Sequence, residues 1–137
     1  MEIDLTTGNV ERVETDPKDT EFLLGGVGTS SKIMWDRVGP EVKPFDPENL
    51  LIFSSGLLCG TSCPGANRTM ITSVSPQTDF VAYSMMGGFF SPVISTPATT
   101  RSSSRGKSPK LGYMWITNNK VAIRDASRLF RLKLRGK

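Results

Sequence analysis

The chain contains no histidine, only two cysteines and no long apolar run, and each of these absences narrows its function. Without histidine, the commonest metal ligand and general base is missing. Cys59 and Cys63 could give two thiolates to an iron–sulfur cluster, but such a cluster needs about four, so the alternative is two small loop residues in a reducing compartment. No apolar stretch approaches the roughly 18 residues of a membrane span, and the N-terminus lacks a secretory pattern. We therefore expect a cytoplasmic protein.

The pattern of short apolar segments predicts an α+β domain. At 137 residues the chain has the length of one domain, and 13 glycines with 9 prolines indicate many loops. Helices are predicted from Pro17 to Leu24, with Asp16 as N-cap, and from Ser30 or Ser31 to Val38, with Gly25–Gly28 as the stop between them. Strands are predicted at Ile3–Leu5, Val10–Val13, Leu50–Phe53, Thr69–Val74, Phe80–Tyr83, Tyr113–Thr117 and Lys120–Arg124. No regular βαβ alternation appears, which argues against a doubly wound sheet.

Small-residue loops surround one arginine in the middle of the chain. Gly56–Asn67 precedes Arg68, and Gly87-Gly88 follows the second predicted strand after it, Phe80–Tyr83. Glycine allows a bulky ligand to approach the backbone, and a guanidinium offers a fork of donors to phosphate. Arg68 could instead form a surface salt bridge, which would contribute little to stability. Met85 and Met86, which precede the glycine pair, could line a ligand pocket or could fill gaps in the core.

Basic residues outnumber acidic ones from Arg101 onward, within an overall charge of +4. The last ten residues, 128–137, form a basic tail with interleaved apolar side chains. Such a tail could bind nucleic acid or an anionic membrane surface.

Eight short blocks, taken in order, carry a resemblance to a known family. They are Ile3-Asp4-Leu5-Thr6-Thr7-Gly8, Phe22-Leu23-Leu24-Gly25-Gly26, Asp46-Pro47-Glu48-Asn49, Gly60-Thr61-Ser62, Arg68, Ser75-Pro76, Gly87-Gly88-Phe89-Phe90 and Ile123-Arg124-Asp125-Ala126-Ser127. Together they resemble the N-terminal domain of the aldehyde ferredoxin oxidoreductase family, the tungsten-pterin enzymes. The resemblance implies a β-rich domain of mostly antiparallel strands with a few short helices.

The resemblance also implies a set of cofactor-binding residues. By position, Arg68 would pair with a pterin phosphate, and Gly87 and Gly88 would let the backbone hydrogen-bond the pterin. Met85 stands where the family often has an asparagine that helps to hold the magnesium bridging two pterin phosphates. A backbone carbonyl could replace that contact here. The implied cofactor is a tungsten or molybdenum bis-pterin with bridging magnesium, and the family's 4Fe-4S cluster has no complete ligand set in this chain.

One stretch departs from the family. Residues 95–104 read Ser-Thr-Pro-Ala-Thr-Thr-Arg-Ser-Ser-Ser, a polar linker, where the family has a pattern such as Lys-Tyr-Ala-Gly-Tyr-Asp-Lys-Ile-Ile-Ile. Dropping the first base of DNA that encodes the family pattern yields the residues found here, and one extra base restores the frame at Arg105. We therefore hypothesise two compensating frameshifts and expect residues 93–104 to be irregular.

The sequence thus leads to three functional alternatives. The first is an incomplete N-terminal cofactor-binding domain over residues 1–127, followed by the basic tail, in an oxidoreductase acting on aldehydes or related acyl substrates. Its expected partners are the remaining domains or a second polypeptide and a ferredoxin-type carrier, without membrane or nucleic acid. The second is a small module that binds an anion or nucleic acid, and the third is a remnant without activity.

Overall fold

The computed structural model describes residues 1–14, 16–95, 101–117 and 120–129. Its strands are β1 (Glu2–Asp4), β2 (Val10–Glu11), β3 (Leu51–Ser55), β4 (Arg68–Val74), β5 (Val81–Gly87), β6 (Arg101–Arg105), β7 (Gly112–Thr117) and β8 (Lys120–Asp125). Its helices are α1 (Pro17–Leu23), α2 (Gly26–Arg37) and α3 (Phe90–Ser95). The predicted α+β class is confirmed.

The strands form one large sheet and one hairpin. The large sheet has the order β2-β1-β6-β3-β4-β5, and its neighbouring strands are antiparallel except for the parallel pair β1 and β6. Strands β7 and β8 pair only with each other in the described part of the chain. The expectation of mostly antiparallel strands with a few short helices is therefore confirmed.

Helix α2 packs on one face of the large sheet and forms the core there. Met34 contacts the buried cluster of Leu50, Ile52 and Val74. Beside this apolar contact, the Ser30 hydroxyl donates to the Gly26 carbonyl at 2.9 Å. The Thr72 hydroxyl of β4 in turn donates to Ser30 Oγ at 3.0 Å. Because these polar side chains are small and satisfy one another, the helix and the sheet can approach closely without a buried unpaired group.

Most predicted elements occur where the sequence indicated them. The predicted first hairpin, helix α1 and later strands are confirmed. At the start of α1 the Asp16 carboxylate accepts a hydrogen bond from the Lys18 amide at 2.9 Å, as expected of an N-cap. Helix α2, however, begins at Gly26 and not at Ser30 or Ser31. The glycines lie inside its first turn because Gly28 packs against α1, where an added Cβ would be 2.3 Å from the Leu23 carbonyl oxygen. The glycines at 25–28 predicted a stop between two helices, but in the structure they permit a close contact between those helices.

The prediction that residues 93–104 are irregular is wrong at both ends of the segment. Helix α3 extends to Ser95, and β6 lies in the sheet between β1 and β3. Main-chain pairing on both sides holds β6 as a strand although serine favours turns, since neighbours override intrinsic preference. Ser103 and Ser104 are only 7% and 5% exposed. Residues 96–100 and most of the predicted basic tail, 130–137, lie outside the described residues.

Candidate cofactor-binding site

The predicted cofactor residues converge at one end of the β4–β5 pair. Arg68 opens β4 and is the direct register partner of Gly87, which closes β5. Gly88 follows with φ of 96°, a conformation that favours glycine. Two segments separated in sequence are thereby joined, so that a cationic side chain and a glycine bend lie side by side.

This end of the sheet is open to a ligand. A Cβ added to Gly87 or to Gly88 would meet no atom within 4 Å. Arg68 is exposed, and none of the ion pairs among the described residues involves its guanidinium. A guanidinium without a carboxylate beside an accessible backbone has the chemistry to bind a phosphate with its paired N–H groups.

Met85 lies one pleat away from this pair. It is the register partner of Met70, and alternation along the strands puts Met85, Gly87 and Arg68 on one face of the sheet. The Met85 side chain is 61% exposed. A thioether is a poor ligand for magnesium, which prefers oxygen, so only main-chain oxygen could serve the cation at this position.

Buried polar side chains near this end were not identified from the sequence. The hydroxyl of Thr69, which is 1% exposed, has no hydrogen-bond partner among the described residues. The buried thiol of Cys59 lies 2.8 Å from the hydroxyl of Ser91 in α3, while Cys63 is exposed. Both cysteines are free thiols. The sequence pattern of a strand such as β4 does not show which of its small polar side chains are buried, so these contacts could not be predicted.

No metal centre is formed by side chains in the described ranges. A search of those residues finds no group of three or more His, Cys, Asp or Glu side chains that could hold a metal ion. The residues present therefore fit the phosphate and organic part of a pterin cofactor, through Arg68 and the glycine bend, and provide no side-chain ligand set for a bare metal ion.

Within the described ranges, no helix is long and apolar enough to cross a membrane.

A second charged region lies at the opposite edge of the sheet. Here Arg37 pairs with Glu2 at 2.5 Å and Arg105 with Asp4 at 3.5 Å, around a cavity of about 460 Å³. Hydrogen bonds from the main-chain amides of the β1–β2 turn lower the pKa of the Asp4 carboxyl from its ordinary value. Because cations and carboxylates are already paired, this region differs from the open end at Arg68.

Sequence comparisons identify the family of the chain. The family described as "Aldehyde ferredoxin oxidoreductase, N-terminal domain" matches residues 1–135. The chain is 32% identical over 130 residues to the tungsten-containing aldehyde ferredoxin oxidoreductase of Pyrococcus abyssi, covering 95% of this chain and 21% of that protein. It is 31% identical over 131 residues to an aliphatic sulfonate oxidoreductase, WOR-like subunit, of Pyrococcus furiosus, covering 93% of this chain and 21% of that protein.

A solved structure is more similar still. The active-site complex BamBC of benzoyl coenzyme A reductase, in complex with 1,5-dienoyl-CoA, contains a chain that is 60% identical. The match has a TM-score of 0.91 and covers 93% of this chain and 20% of that one.

The fold and the comparisons define the chain as an N-terminal domain of a larger type of oxidoreductase. The chain belongs to the aldehyde ferredoxin oxidoreductase family. It spans about a fifth of the length of the curated relatives that it matches.

Proposed function

We propose that this chain is the N-terminal tungsten-bis-pterin-binding part of an oxidoreductase that acts on aldehydes or related acyl substrates. The observation that carries the proposal is the register pairing of Arg68 with Gly87, which makes one site from a cation and an accessible bend. The tungsten in the names of the family's curated relatives supports the choice of metal. Molybdenum remains the chemical alternative.

Each residue of the site has a proposed task. Arg68 donates paired hydrogen bonds to a pterin phosphate, and the main chain at Gly87 and Gly88 bonds the edge of the pterin ring. The main-chain oxygen at Met85 replaces an amide side chain toward the bridging magnesium. When bound, the metal-pterin group supplies the redox chemistry, while this chain binds and orients the group.

Among substrate classes, the comparisons favour a coenzyme A thioester of an aromatic acid. The chain is 60% identical to its BamBC neighbour, whereas the aldehyde-oxidising relative from Pyrococcus abyssi is 32% identical. A coenzyme A thioester is an acyl substrate, so this assignment narrows the proposed class without leaving it.

Electron transfer requires polypeptide beyond this chain. The two cysteines cannot ligate a 4Fe-4S cluster by themselves, so the cluster and the contact with a ferredoxin are assigned to the remaining domains or a second polypeptide.

The cytoplasmic location also stays a prediction. Nothing in the described part of the chain favours nucleic acid or a remnant without activity over this function.

Metal analysis tests the proposal. The chain is co-expressed anaerobically with the unmatched part of its BamBC-type relative, in a host that makes the pterin and receives tungstate. Mass spectrometry of the purified material should find tungsten or molybdenum together with pterin. Metal-free and pterin-free chain from a complex that has assembled would contradict the proposed function.

A further inference from the structure

A hydrogen-bond network joins the two segments that meet at the candidate cofactor site. The Ser91 hydroxyl of α3 lies 2.8 Å from the Cys59 sulfur, although the two residues are 32 positions apart in the sequence. The Cys59 thiol donates to the side-chain oxygen of Asn67 at 3.8 Å, and the same oxygen accepts the Gly60 amide at 3.1 Å. A thiol has one proton to donate, so the Ser91 hydroxyl is the donor to the sulfur. The loop that precedes β4 is therefore connected to the helix that follows the glycine bend.

The centre of this network is buried, whereas the other cysteine of the same loop is not. Cys59 is 8% exposed and Ser91 is 1% exposed. Cys63 is exposed. A buried hydrogen bond is costly to leave unmade, because water does not replace the lost partner. The folded chain therefore favours a fixed contact between the loop and the helix.

The glycine bend depends on contacts made by the helix that follows it. Gly88 has φ of 96°, and a Cβ added to either glycine of the bend would meet no atom within 4 Å. Helix α3 has six residues, and a helix of that length is not stable without tertiary contacts. Its contacts include the edge-on packing of Phe90 against Phe53, with 6.3 Å between the ring centroids, and the bond from Ser91 to Cys59. Of these two contacts, only the second reaches the loop before β4.

At its other end the network reaches the residue that precedes Arg68. Asn67 closes the loop through its bond to the Gly60 amide. The Arg68 amide donates to the Ala66 carbonyl at 3.0 Å, where the loop enters β4. A displacement of Asn67 would therefore shift the start of the strand that carries the guanidinium.

We propose that Cys59 and Ser91 are positioning residues that hold Arg68 and the glycine bend in the arrangement that binds the cofactor. Both act through the backbone segments that they join, and not by contact with the ligand. A site whose parts are fixed before binding loses less conformational entropy when the ligand binds, so a looser bend retains less pterin. This inference rests on the proposed function, since it takes the pterin cofactor as the ligand.

Substitutions at the two cysteines test this role. Cys59→Ala removes the hydrogen-bonding group, whereas Cys59→Ser keeps a group that can accept from Ser91 and donate to Asn67. Cys63→Ala is the matched control, because it changes the exposed cysteine of the same loop. Each full-length variant is co-expressed as in the metal analysis above, and tungsten, molybdenum and pterin are measured for each assembled complex. Circular dichroism verifies that the variants fold.

Ser91→Ala removes the same contact from the side of the helix. It should lower the cofactor content as Cys59→Ala does, and it takes the place of Cys59→Ala if that variant does not fold.

Cys59→Ala should retain about fivefold less metal and pterin than the unchanged chain, the ratio that corresponds to one lost buried hydrogen bond. Cys59→Ser and Cys63→Ala should retain nearly as much as the unchanged chain. Both variants at Cys59 lose the packing of the sulfur, so a role in packing alone would lower the cofactor content equally in the two. In the chain without cofactor, Cys59→Ala should speed hydrogen exchange both in the loop at 56–67 and in the segment at 88–93.

Equal cofactor content in Cys59→Ala and Cys63→Ala, an equal loss in both variants at Cys59, or faster exchange confined to the loop would each overturn this inference and leave the proposed function intact. A complex of the unchanged chain without metal and pterin would contradict the proposed function, and this inference would fall with it.

Discussion

Ser103→Ile should stabilise the chain, because a small polar residue occupies a central, buried position of the sheet. Ser103 is the register partner of Ile52 and lies beside a cavity of about 70 Å³ that Ile3 and Leu50 also line. Isoleucine replaces the hydroxyl by carbon and adds two further carbons, which at about 0.8 kcal/mol per buried group gives roughly 2 kcal/mol. Overpacking can cost about 1–3 kcal/mol, but the cavity provides room, so we expect a net gain of about 1–2 kcal/mol.

Urea denaturation followed by circular dichroism measures this gain. With a slope of about 2 kcal/mol per molar, in the middle of the usual range, the midpoint should rise by roughly 0.5–1 M. Ser84→Ile is the matched control, since it makes the same change in an exposed strand position and should shift stability by less than about 0.5 kcal/mol. A lower midpoint for Ser103→Ile with an unchanged spectrum, or equal gains in both variants, would refute the reasoning. The expected result would also agree with the frameshift hypothesis, in which isoleucines occupy this strand.

Two further substitutions test the local geometry. Gly25→Ala should lower stability by about 2 kcal/mol or more in urea denaturation, because Gly25 has φ of 73° and an added Cβ would lie 2.7 Å from the Ser55 carbonyl oxygen. Gly8→Ala, with φ of 76° but no atom within 4 Å of the added Cβ, should cost only about 1 kcal/mol, and equal losses would contradict the role of the clash. The Asp4 carboxyl should titrate below its ordinary pKa in NMR, so its stabilising effect is present above the unfolded-state pKa and lost as pH falls through the folded-state pKa. An unshifted titration of Asp4 would contradict this account.

The sequence predicted most of the strands because their turn residues and apolar patterns are local. It failed at β6, whose serines form a strand only through pairing with β1 and β3, which are distant in sequence. It failed at Gly26 and Gly28 because glycines that stop a helix and glycines that allow two helices to touch look the same without tertiary contacts. The candidate site needed the family resemblance to choose Arg68 and the glycine bend. The buried Thr69 hydroxyl gave no signal in the sequence.

The most direct test of the central claim is the pterin content of the assembled enzyme with and without the Arg68 guanidinium. Arg68→Ala is compared with Arg128→Ala, which removes another exposed arginine outside the candidate site. Both are co-expressed as described above, and tungsten, molybdenum and pterin are measured for each assembled complex. We predict that Arg68→Ala retains at least tenfold less metal and pterin than the unchanged protein, while Arg128→Ala retains as much. Equal cofactor content in the two variants would contradict the account.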